Sequence, residues 1–496
     1  MVRINEIYKK ILKTKPSGFW PGFSVGLFYF GYIFFWFWSV RSLVSFEIEN
    51  KIFAFLIILL PYIITVAGMA LFWGVFSYSL FNFFKKTGQV FLPFFWAGTF
   101  VLVEYLRIWF FGILWAGPGA LLGSHWTLGT PAYLLANLDF VRQPAAYWGI
   151  YGIDFLIVFF GTALFLLAKL RGKDSKKILV FEILSTIAIL FFANFFLTLN
   201  KLESENNKLV VSVIQTKNPI KTFYEPEELL AGFSEKNKLL KEAASKSNVI
   251  IFPENADFSK TLSGFLDIDS VPKYFAGLSQ KNILIIDSNK IPEREGLKSK
   301  TILIDSKEGA VGFYDKKLLT PGGESLPYIA KIPLLISERL TKNYFVSSRP
   351  TFIKGEESNV QNHQSNKVKI LVCSDIVSPA LARKDSNFDF MTNLNNLAVF
   401  DGDSFIEKQL LSMAKFRAAE NGKYLIISSN FGRSYVINPL GKVINSTEST
   451  GYQILTSDIV PNQTRTWYNK LGDIPILILS FIVVLLGLKT TRSRDF

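Results

Sequence analysis

Six long apolar segments limit what this 496-residue chain can fold into more than any other feature of its sequence. Most of them are long enough to cross roughly 30 Å of hydrocarbon as an α-helix. The second has no polar turn in its middle, and its Pro61 is tolerable as a kink, so we interpret it as one tilted helix. We therefore predict six membrane spans, at residues 18–40, 52–84, 92–114, 146–169, 178–199 and 473–488.

Positive charge predicts how these spans are oriented. The formal net charge of +14 invites a nucleic-acid-binding interpretation, but much of the excess lies in alternate connections between spans. The residues concerned are Arg3, Lys9, Lys10, Lys13, Lys15, Lys85, Lys86, Lys169, Arg171, Lys173, Lys176, Lys177, Lys489, Arg492 and Arg494. The positive-inside rule places those connections in the cytoplasm, and the acidic Glu47 and Glu49 fit the opposite side. We therefore predict cytoplasmic termini, residues 200–470 outside the cytoplasm, and no nucleic-acid partner.

Between the fifth and sixth spans, the pattern changes to short apolar runs separated by polar helical segments. Strands are predicted at Leu209–Gln215, Val249–Phe252, Ile283–Ile286, Thr301–Ile304, Val368–Val372 and Tyr424–Ser428, and helices at Glu227–Ala244 and Phe405–Asn421. This alternation predicts an α/β domain with a largely buried sheet. The polar segment 354–367 is predicted to be a surface loop, and the Gly-, Pro- and Trp-rich residues 115–145 are placed to roof a cavity at membrane level.

The composition agrees with a chain that lies partly in lipid, because 48 Phe and a positive mean hydropathy are too apolar for a wholly soluble enzyme. The predicted fold class is a multi-pass α-helical membrane domain joined to an α/β domain. The predicted divisions are a cytoplasmic N-terminus at 1–17, about five membrane helices at 18–200, an extracytoplasmic domain at 205–465, a C-terminal span at 473–488 and a cytoplasmic tail at 489–496.

The only cysteine, Cys373, ends one of the predicted strands in the part expected outside the cytoplasm. A lone thiol cannot form a disulfide within its own domain, and an exported thiol is exposed to oxidation. A cysteine at the end of a hydrophobic strand is most often a small core residue, and this interpretation stays open. The other interpretation is that Cys373 is a nucleophile.

A carboxylate and an amine follow other strand-like runs. Glu254 comes directly after the apolar run 249–253, and Lys316 follows Tyr314-Asp315. In open α/β sheets, sites form beyond the carboxyl ends of strands. A free Cys is mostly protonated at neutral pH, so Glu254 would take its proton, while Lys316 and the backbone N–H of Ser374 would stabilise an oxyanion. Taken singly, both charged residues are more often solvated loop side chains.

Further motifs accompany these residues in a fixed order. Those of the polar part are Phe252-Pro253-Glu254-Asn255-Ala256, Tyr314-Asp315-Lys316, Leu319-Thr320-Pro321-Gly322-Gly323-Glu324, Cys373-Ser374-Asp375, Arg417-Ala418-Ala419-Glu420-Asn421-Gly422 and Asn430-Phe431-Gly432. Those of the apolar part are Glu104-Tyr105-Leu106-Arg107, Gly123-Ser124-His125, and Gln143 with Gly149–Phe155. The first set resembles the nitrilase superfamily. With the flanking spans, nearly the whole chain resembles the bacterial apolipoprotein N-acyltransferase family.

The resemblance implies an α-β-β-α sandwich beside the membrane helices, with Glu254 as general base, Lys316 as oxyanion and orientation partner, and Cys373 as nucleophile. Supporting or oxyanion roles fall to Glu324, Ser374 and Asp375. The implied reaction moves an acyl chain from a phospholipid to the thiol, and then to the N-terminal amine of a diacylated lipoprotein. Its implied location is the bacterial inner membrane, and we expect a monomer without a cofactor.

This chain lacks aromatic residues that the family commonly has near the thiol. Gly322 and Ser374 stand where Phe and Tyr are common, Asp375 replaces a Glu, and no Trp occurs at 395–400. Two alternatives stay open for this reason. One is a membrane-anchored carbon-nitrogen hydrolase, or an acyltransferase for another lipid amine. The other is a catalytically degenerate relative that binds lipoproteins.

Other polar residues are candidates for structural or substrate-loop roles. Glu104 and Arg107 lie three residues apart on a predicted span, where an ion pair costs less than two lone charges. A structural pair and a substrate contact are the two interpretations. The remaining candidates of this group are Gln143, Arg417, Glu420 and Asn430. The two histidines, His125 and His363, are too few and too scattered for a metal site, so we predict none.

Overall fold

The computed structural model describes most of the chain. The described residues are 18–41, 51–83, 90–170, 172–199, 208–219, 225–267, 270–329, 352–448 and 451–492. Part of the predicted orientation and of the predicted cytoplasmic ends lies outside the described residues: 1–17, Glu47, Glu49, Lys85, Lys86, Arg171 and 493–496.

The N-terminal part of the described chain is helical. Its helices are α1 (Phe19–Ile33), α2 (Lys51–Phe83), α3 (Leu92–Leu114), the short α4 (Asp139–Arg142), α5 (Ala145–Lys169) and α6 (Lys173–Leu199). Helices form here because a backbone in hydrocarbon must satisfy its hydrogen bonds within the segment. Four stretches are long and apolar enough to cross a membrane, at Ile58–Asn82, Leu92–Leu114, Ala145–Lys169 and Lys173–Phe195. They coincide with four of the predicted spans, and Pro61 lies within a single helix as predicted.

The first predicted span is shorter than expected, and the last agrees in length with its prediction. α1 has 15 residues and is followed by a 3-10 helix at Phe35–Arg41. α1 and α2 pack closely at Gly26. A Cβ atom built there would lie only 2.9 Å from the Cα of Ala70, so the lack of a side chain allows this approach. The last helix, α13 (Ile474–Arg492), has an apolar part at Ile474–Lys489. The total of six spans therefore stays a prediction.

The described residues between α6 and α13 form two six-stranded sheets. Their strands are β1 (Leu209–Gln215), β2 (Val249–Ile251), β3 (Leu284–Glu293), β4 (Gly296–Asp305), β5 (Gly309–Asp315), β6 (Val360–His363), β7 (Asn366–Val372), β8 (Phe390–Asn396), β9 (Leu425–Asn430), β10 (Tyr435–Ile437), β11 (Val443–Ser446) and β12 (Gln453–Ile459). The first sheet has the order β12-β1-β2-β3-β4-β5 and the second β11-β10-β9-β8-β7-β6. In both, the three central strands β1-β2-β3 and β7-β8-β9 are parallel.

Helices cover the outer faces of both sheets. They are α7 (Pro226–Ala244), α8 (Phe258–Phe265), α9 (Ser270–Ala276), α10 (Pro379–Arg383), α11 (Ser404–Asn421) and α12 (Trp467–Leu471). Apolar side chains of β1, β2 and β3 meet those of β7, β8 and β9 between the sheets. The first sheet packs outward on α7, α8 and α9. The order helix, sheet, sheet, helix is the α-β-β-α sandwich that the resemblance implied.

The outer layer of the second sheet is continuous with the membrane helices. One hydrophobic cluster joins Leu371 and Ile427 of the sheet, Phe416 of α11, and Phe30 and Phe111 of α1 and α3. The second sheet therefore has no separate solvent-facing layer over this area. The α/β domain is packed directly on the membrane helices through α11.

The predicted strands and helices are present in the structure with shifted ends, one predicted loop is wrong, and β8, β10, β11 and β12 were not predicted. The segment 354–367 was expected to be a surface loop, but Val360–His363 is β6 and pairs antiparallel with β7. β6 is a polar strand at the edge of its sheet, with partly exposed side chains. Such a strand lacks the apolar alternation that identifies a half-buried strand in a sequence, which explains the error.

Candidate active site

The sheet topology brings two of the predicted residues to the same edge of the first sheet. Glu254 follows β2 by three residues, and Lys316 follows β5 directly. β3 is parallel to β2, and β4 is antiparallel to both β3 and β5. β2 and β5 therefore run in the same direction, so the residues beyond their carboxyl ends lie on one side of the sheet.

Lys316 joins two carboxylates. Its Nζ donates to Glu254 Oε1 at 3.0 Å and to Glu324 Oε1 at 2.9 Å. The other carboxylate oxygen of Glu324 accepts from the backbone N–H of Thr320 at 2.8 Å. Lys316 and Glu254 are almost fully buried, with 2% and 4% of their surfaces exposed. One buried cation is thus shared by two acidic side chains.

Cys373 follows β7 directly and begins a 3-10 helix at Cys373–Val377. Its φ is +46°, in the left-handed region that costs an L-residue other than Gly roughly 1–2 kcal/mol. The side chain is partly exposed, and its pKa responds to the charges of Glu254, Lys316 and Glu324. We call these four residues the thiol cluster. Strain of this kind is typical of functional sites.

The electrostatics of the thiol cluster favour a resting thiol. Burial, and then the negative charge of Glu254, raise the pKa of Cys373 to about 12 against the opposing effect of Lys316. Burial also raises the pKa of Glu254, although Lys316 opposes this. Burial disfavours the charge of Lys316, but the two carboxylates hold its pKa well above its ordinary value. The amine therefore stays charged, and the thiol needs a base when it reacts.

The turn that carries Cys373 is tied to the loop that carries Lys316. The carboxylate of Asp375 accepts from the backbone N–H groups of Val372 at 3.0 Å and Leu318 at 2.9 Å, and from the Tyr314 hydroxyl at 2.8 Å. The Ser374 hydroxyl donates to the carbonyl of Leu318. These bonds hold the two elements together, so the side chains of Ser374 and Asp375 act as braces. Whether the backbone N–H of Ser374 binds an oxyanion stays a prediction.

Glu104 and Arg107 form a buried ion pair inside the membrane helices, at 2.8 Å and with both side chains fully buried. Arg107 also donates to the carbonyl of Leu128 at 3.0 Å, and the indole of Trp73 donates to Glu104 at 2.9 Å. We call Glu104 and Arg107 the helix pair. It lies apart from the thiol cluster, and its groups are occupied by protein partners.

A second buried pair fixes the membrane helices to the α/β domain. Arg417 Nε lies 2.8 Å from Glu420 Oε2 on α11, and Glu420 Oε1 accepts from the backbone N–H of Ile150 at 3.0 Å. The preceding Gly149 interrupts α5 with a φ of +64°. A Cβ atom there would lie 2.2 Å from the Tyr468 ring, so only Gly fits. Glu420 therefore caps the N-terminus of the part of α5 that follows Gly149.

The last two candidates lie in connecting positions. The Asn430 side chain bonds the backbone of Asn218 and the side chains of Thr216 and Asn396, so it joins the end of β1 to the end of β9. Gln143 is partly buried at the end of α4. Neither residue belongs to the thiol cluster.

Sequence reasoning missed several contacts around the thiol. These are the Tyr314 hydroxyl on Asp375, the Thr320 N–H on Glu324, and the Asn396 backbone N–H that lowers the pKa of Cys373. The Gly322-Gly323 pair is a usable signal, because a turn there brings Glu324 back towards Lys316. The other two contacts join distant parts of the chain and leave no local pattern.

Comparison with known proteins adds three findings. The carbon-nitrogen hydrolase family matches residues 211–469. The chain is similar to the apolipoprotein N-acyltransferase of Haemophilus influenzae, with 25% identity over 439 residues, 85% of this chain and 77% of that protein. It is similar to the protein of that name from Pasteurella multocida, with 24% identity over 495 residues, 95% and 87% of the two chains.

Two solved structures are each similar to about half of the chain. A CN-hydrolase superfamily protein from Xanthomonas campestris has a TM-score of 0.38 and 17% identity, and the match covers 51% of this chain and 91% of that one. An amidase from Nesterenkonia sp. also has a TM-score of 0.38 and 17% identity, with coverage of 54% and 94%.

Proposed function

The chain belongs to the carbon-nitrogen hydrolase family, and we propose that it is a membrane acyltransferase that acylates the N-terminal amine of lipoproteins. The acyl donor is a phospholipid, and Cys373 carries the acyl group as a thioester. Similarity to apolipoprotein N-acyltransferases over most of the chain supports the substrate class. The four long apolar helices found among the described residues make a membrane location part of this function.

The observation that carries the proposal is the thiol cluster. A partly exposed cysteine on a strained turn lies within electrostatic reach of a buried carboxylate, and one ammonium group joins that carboxylate to a second one. These are the parts of nucleophilic catalysis by a thiol: a nucleophile, a base and a positive charge for a developing oxyanion. Glu324 is a positioning residue, because it holds Lys316.

In the first step, Cys373 Sγ attacks the carbonyl carbon of a phospholipid acyl ester, and the thiol proton passes to Glu254. Lys316 offsets the negative charge that develops on the carbonyl oxygen. The carbon–oxygen bond then breaks, and the leaving alcohol of the lysophospholipid takes the proton from Glu254. The products are a thioester and a lysophospholipid.

In the second step, the amine of the lipoprotein attacks the thioester carbonyl and gives a proton to Glu254. The carbon–sulfur bond breaks, and the proton returns to the sulfur of Cys373. The products are an amide and the original thiol. A thioester suits this exchange because it keeps the acyl group activated while one lipid leaves and another enters.

Mass spectrometry of the full chain tests the covalent step. After incubation with a phospholipid, we expect an added acyl mass on Cys373 that hydroxylamine removes, and adding a diacylated lipopeptide should release it as a triacylated product. The Cys373→Ser variant should show neither. Full transfer activity in that variant would refute the mechanism.

The same experiment separates the alternatives by product. Release of free fatty acid without a triacylated peptide would indicate a hydrolase. Absence of any acyl adduct, with the lipopeptide still bound, would indicate a non-enzymatic binding protein.

For the topology, we propose a bacterial inner-membrane protein with cytoplasmic termini and an extracytoplasmic α/β domain. The cationic connection between α5 and α6 supports this orientation. Because the chain has one cysteine, the exposed positions Gly172→Cys and Ser245→Cys can be introduced singly into Cys373→Ser protein. An impermeant maleimide should label the second variant in intact spheroplasts, and the first only after permeabilisation. The reverse pattern would overturn the orientation.

A further inference from the structure

A cavity of about 650 Å³ lies between the loop after α3 and the α/β domain. Leu121 and His125 of the loop line one side, as the sequence led us to expect of this connection. Neither Glu254 nor Cys373 is among its lining residues. The cavity has the volume typical of small-molecule sites, and its charged lining residues are Lys317, Lys354, Arg383, Lys384, Glu356 and Asp385.

Positive charge in this cavity is only partly balanced. Four of its charged residues are cationic and two are acidic. Within the described part of the chain, none of the four cations lies within 4.0 Å of a carboxylate oxygen. Lys317 is 5% exposed, and its Nζ donates to a neutral acceptor, the carbonyl of Glu356, at 3.2 Å. A buried amine with no carboxylate in contact is costly, and a bound anion would reduce that cost.

A fourth amine, which does not line the cavity, adds to this positive charge. Lys369 is fully buried, and its Nζ donates to the carbonyl of Lys384. Burial lowers the pKa of Lys369 to about 7; the negative charges of Asp385 and Asp375 oppose this shift, and the positive charges of Lys317 and Lys384 add to it. Burial likewise lowers the pKa of Lys317, with a contribution from Lys384 and against the charges of Asp385, Asp375 and Glu357. The amines near the cavity repel one another, and an anion bound in the cavity would offset that repulsion.

The position of the cavity indicates where an anion would come from. A Cβ atom on Gly472, two residues before α13, would lie 2.8 Å from Arg383 Nε. A Cβ atom on Gly119, five residues after α3, would lie 3.8 Å from Lys354 Cβ. Arg383 thus lies near the start of α13, and Lys354 lies near the segment that follows the end of α3. Helix ends of this kind mark the surface of a bilayer, where lipid head groups and their phosphates lie.

We propose that this cavity binds the phosphate of an anionic phospholipid as a site separate from the acyl donor at Cys373. Arg383 presents a planar fork that fits two phosphate oxygens, and Lys317, Lys354 and Lys384 add point charges around them. The bound lipid joins the membrane helices to the α/β domain, because the loop after α3 and α10 contact it from opposite sides. This proposal goes beyond acyl transfer and does not depend on it.

Native mass spectrometry of the full chain in non-ionic detergent tests the proposal. The probe is a short-chain phosphatidylglycerol, and the comparison lipid is phosphatidylcholine of the same chain length. All measurements use Cys373→Ser protein, so that turnover cannot remove the lipid and failure of the proposed enzymatic function leaves the result readable. We expect saturable binding of phosphatidylglycerol, with phosphatidylcholine bound at least about tenfold more weakly.

Two charge variants assign the binding to this cavity. Lys384→Gln, at an exposed position, and Arg383→Gln/Lys384→Gln should weaken phosphatidylglycerol binding progressively, to about tenfold or more in the double variant. The matched control is Lys470→Gln, which removes an exposed cation from the same end of α13 but outside the cavity. It should bind like the parent.

Three results would overturn the proposal. The first is equal binding by parent and both cavity variants. The second is equal binding of phosphatidylglycerol and phosphatidylcholine. The third is displacement of phosphatidylglycerol by an equal concentration of inorganic phosphate, which would assign the cavity to a free anion instead of a lipid.

Discussion

The thiol cluster and the helix pair are both buried groups of opposite charges, but they differ in balance. In the helix pair, one carboxylate meets one guanidinium, and protein donors and acceptors occupy the remaining groups. In the thiol cluster, one ammonium serves two carboxylates within electrostatic reach of a partly exposed cysteine. The helix pair is balanced and buried, so it has no free charge to offer a ligand. The thiol cluster has more carboxylates than cations, so one of its carboxylates can accept a proton during a reaction.

Glu254→Gln gives the largest expected effect on the thiol cluster. Without the base, acyl-enzyme formation should fall roughly 10²- to 10⁴-fold. Stability should change little, because Lys316 keeps Glu324 as a single counter-ion. Single-turnover acylation measured by intact mass gives the rate. Acylation at the parent rate would remove Glu254 from the mechanism.

Glu104→Gln is the corresponding change in the helix pair and should act on stability. It leaves Arg107 charged, buried and without its carboxylate, which costs roughly 3–5 kcal/mol. The free energy of unfolding, measured by SDS titration in mixed micelles, checks this. Acyl transfer per folded molecule should match the parent. A selective loss of activity without loss of stability would favour the substrate-contact interpretation of Glu104.

Glu324→Gln should shift the pH dependence of acylation. Burial raises the pKa of Glu254 above its ordinary 4.5, and the charge of Glu324 adds to this. Acylation needs Glu254 as a carboxylate, so its rate rises with pH through this pKa. Removing the negative charge of Glu324 lowers the pKa of Glu254, and the rising limb should move to lower pH. If the acylation rate falls but its rising limb stays at the same pH, Glu324 has a purely structural role.

The smallest expected effect concerns the backbone at Cys373. Its positive φ suits Gly, so Cys373→Gly should be more stable than Cys373→Ala by about 1 kcal/mol. Both variants lack the thiol, so their difference isolates the backbone. At Glu104, inside regular α3, the Gly variant should instead be less stable than the Ala variant by about 1 kcal/mol. The same ranking at both positions would show that the turn at Cys373 is unstrained.

The sequence predicted the parts of the molecule that depend on local pattern. Unbroken apolar runs identified four long helices, and buried strands such as Val368–Val372 identified the sheets. Glu254 and Cys373 were predicted from their places at strand ends. β6 was not predicted because a polar strand at the edge of a sheet shows no alternation of apolar and polar residues in the sequence.

Contacts between distant residues were beyond such reasoning. Glu420 caps a helix 270 residues earlier in the chain, and Asp375 reaches Leu318 across 57 residues. These bonds depend on how the sheets and helices are packed together. No spacing along the chain records them, although the resemblance drew attention to both carboxylates.

The packing of α11 and the second sheet on the membrane helices limits whether the α/β domain can be expressed, or evolve, as a separate protein. A version cut free at both ends of the sandwich would expose the apolar residues through which α11 packs on the membrane part, such as Phe416. It would aggregate with its copies instead of diffusing as a secreted enzyme. The membrane helices are therefore more than a tether, and a soluble descendant would first need polar residues, or a further layer of helices, over this face of α11.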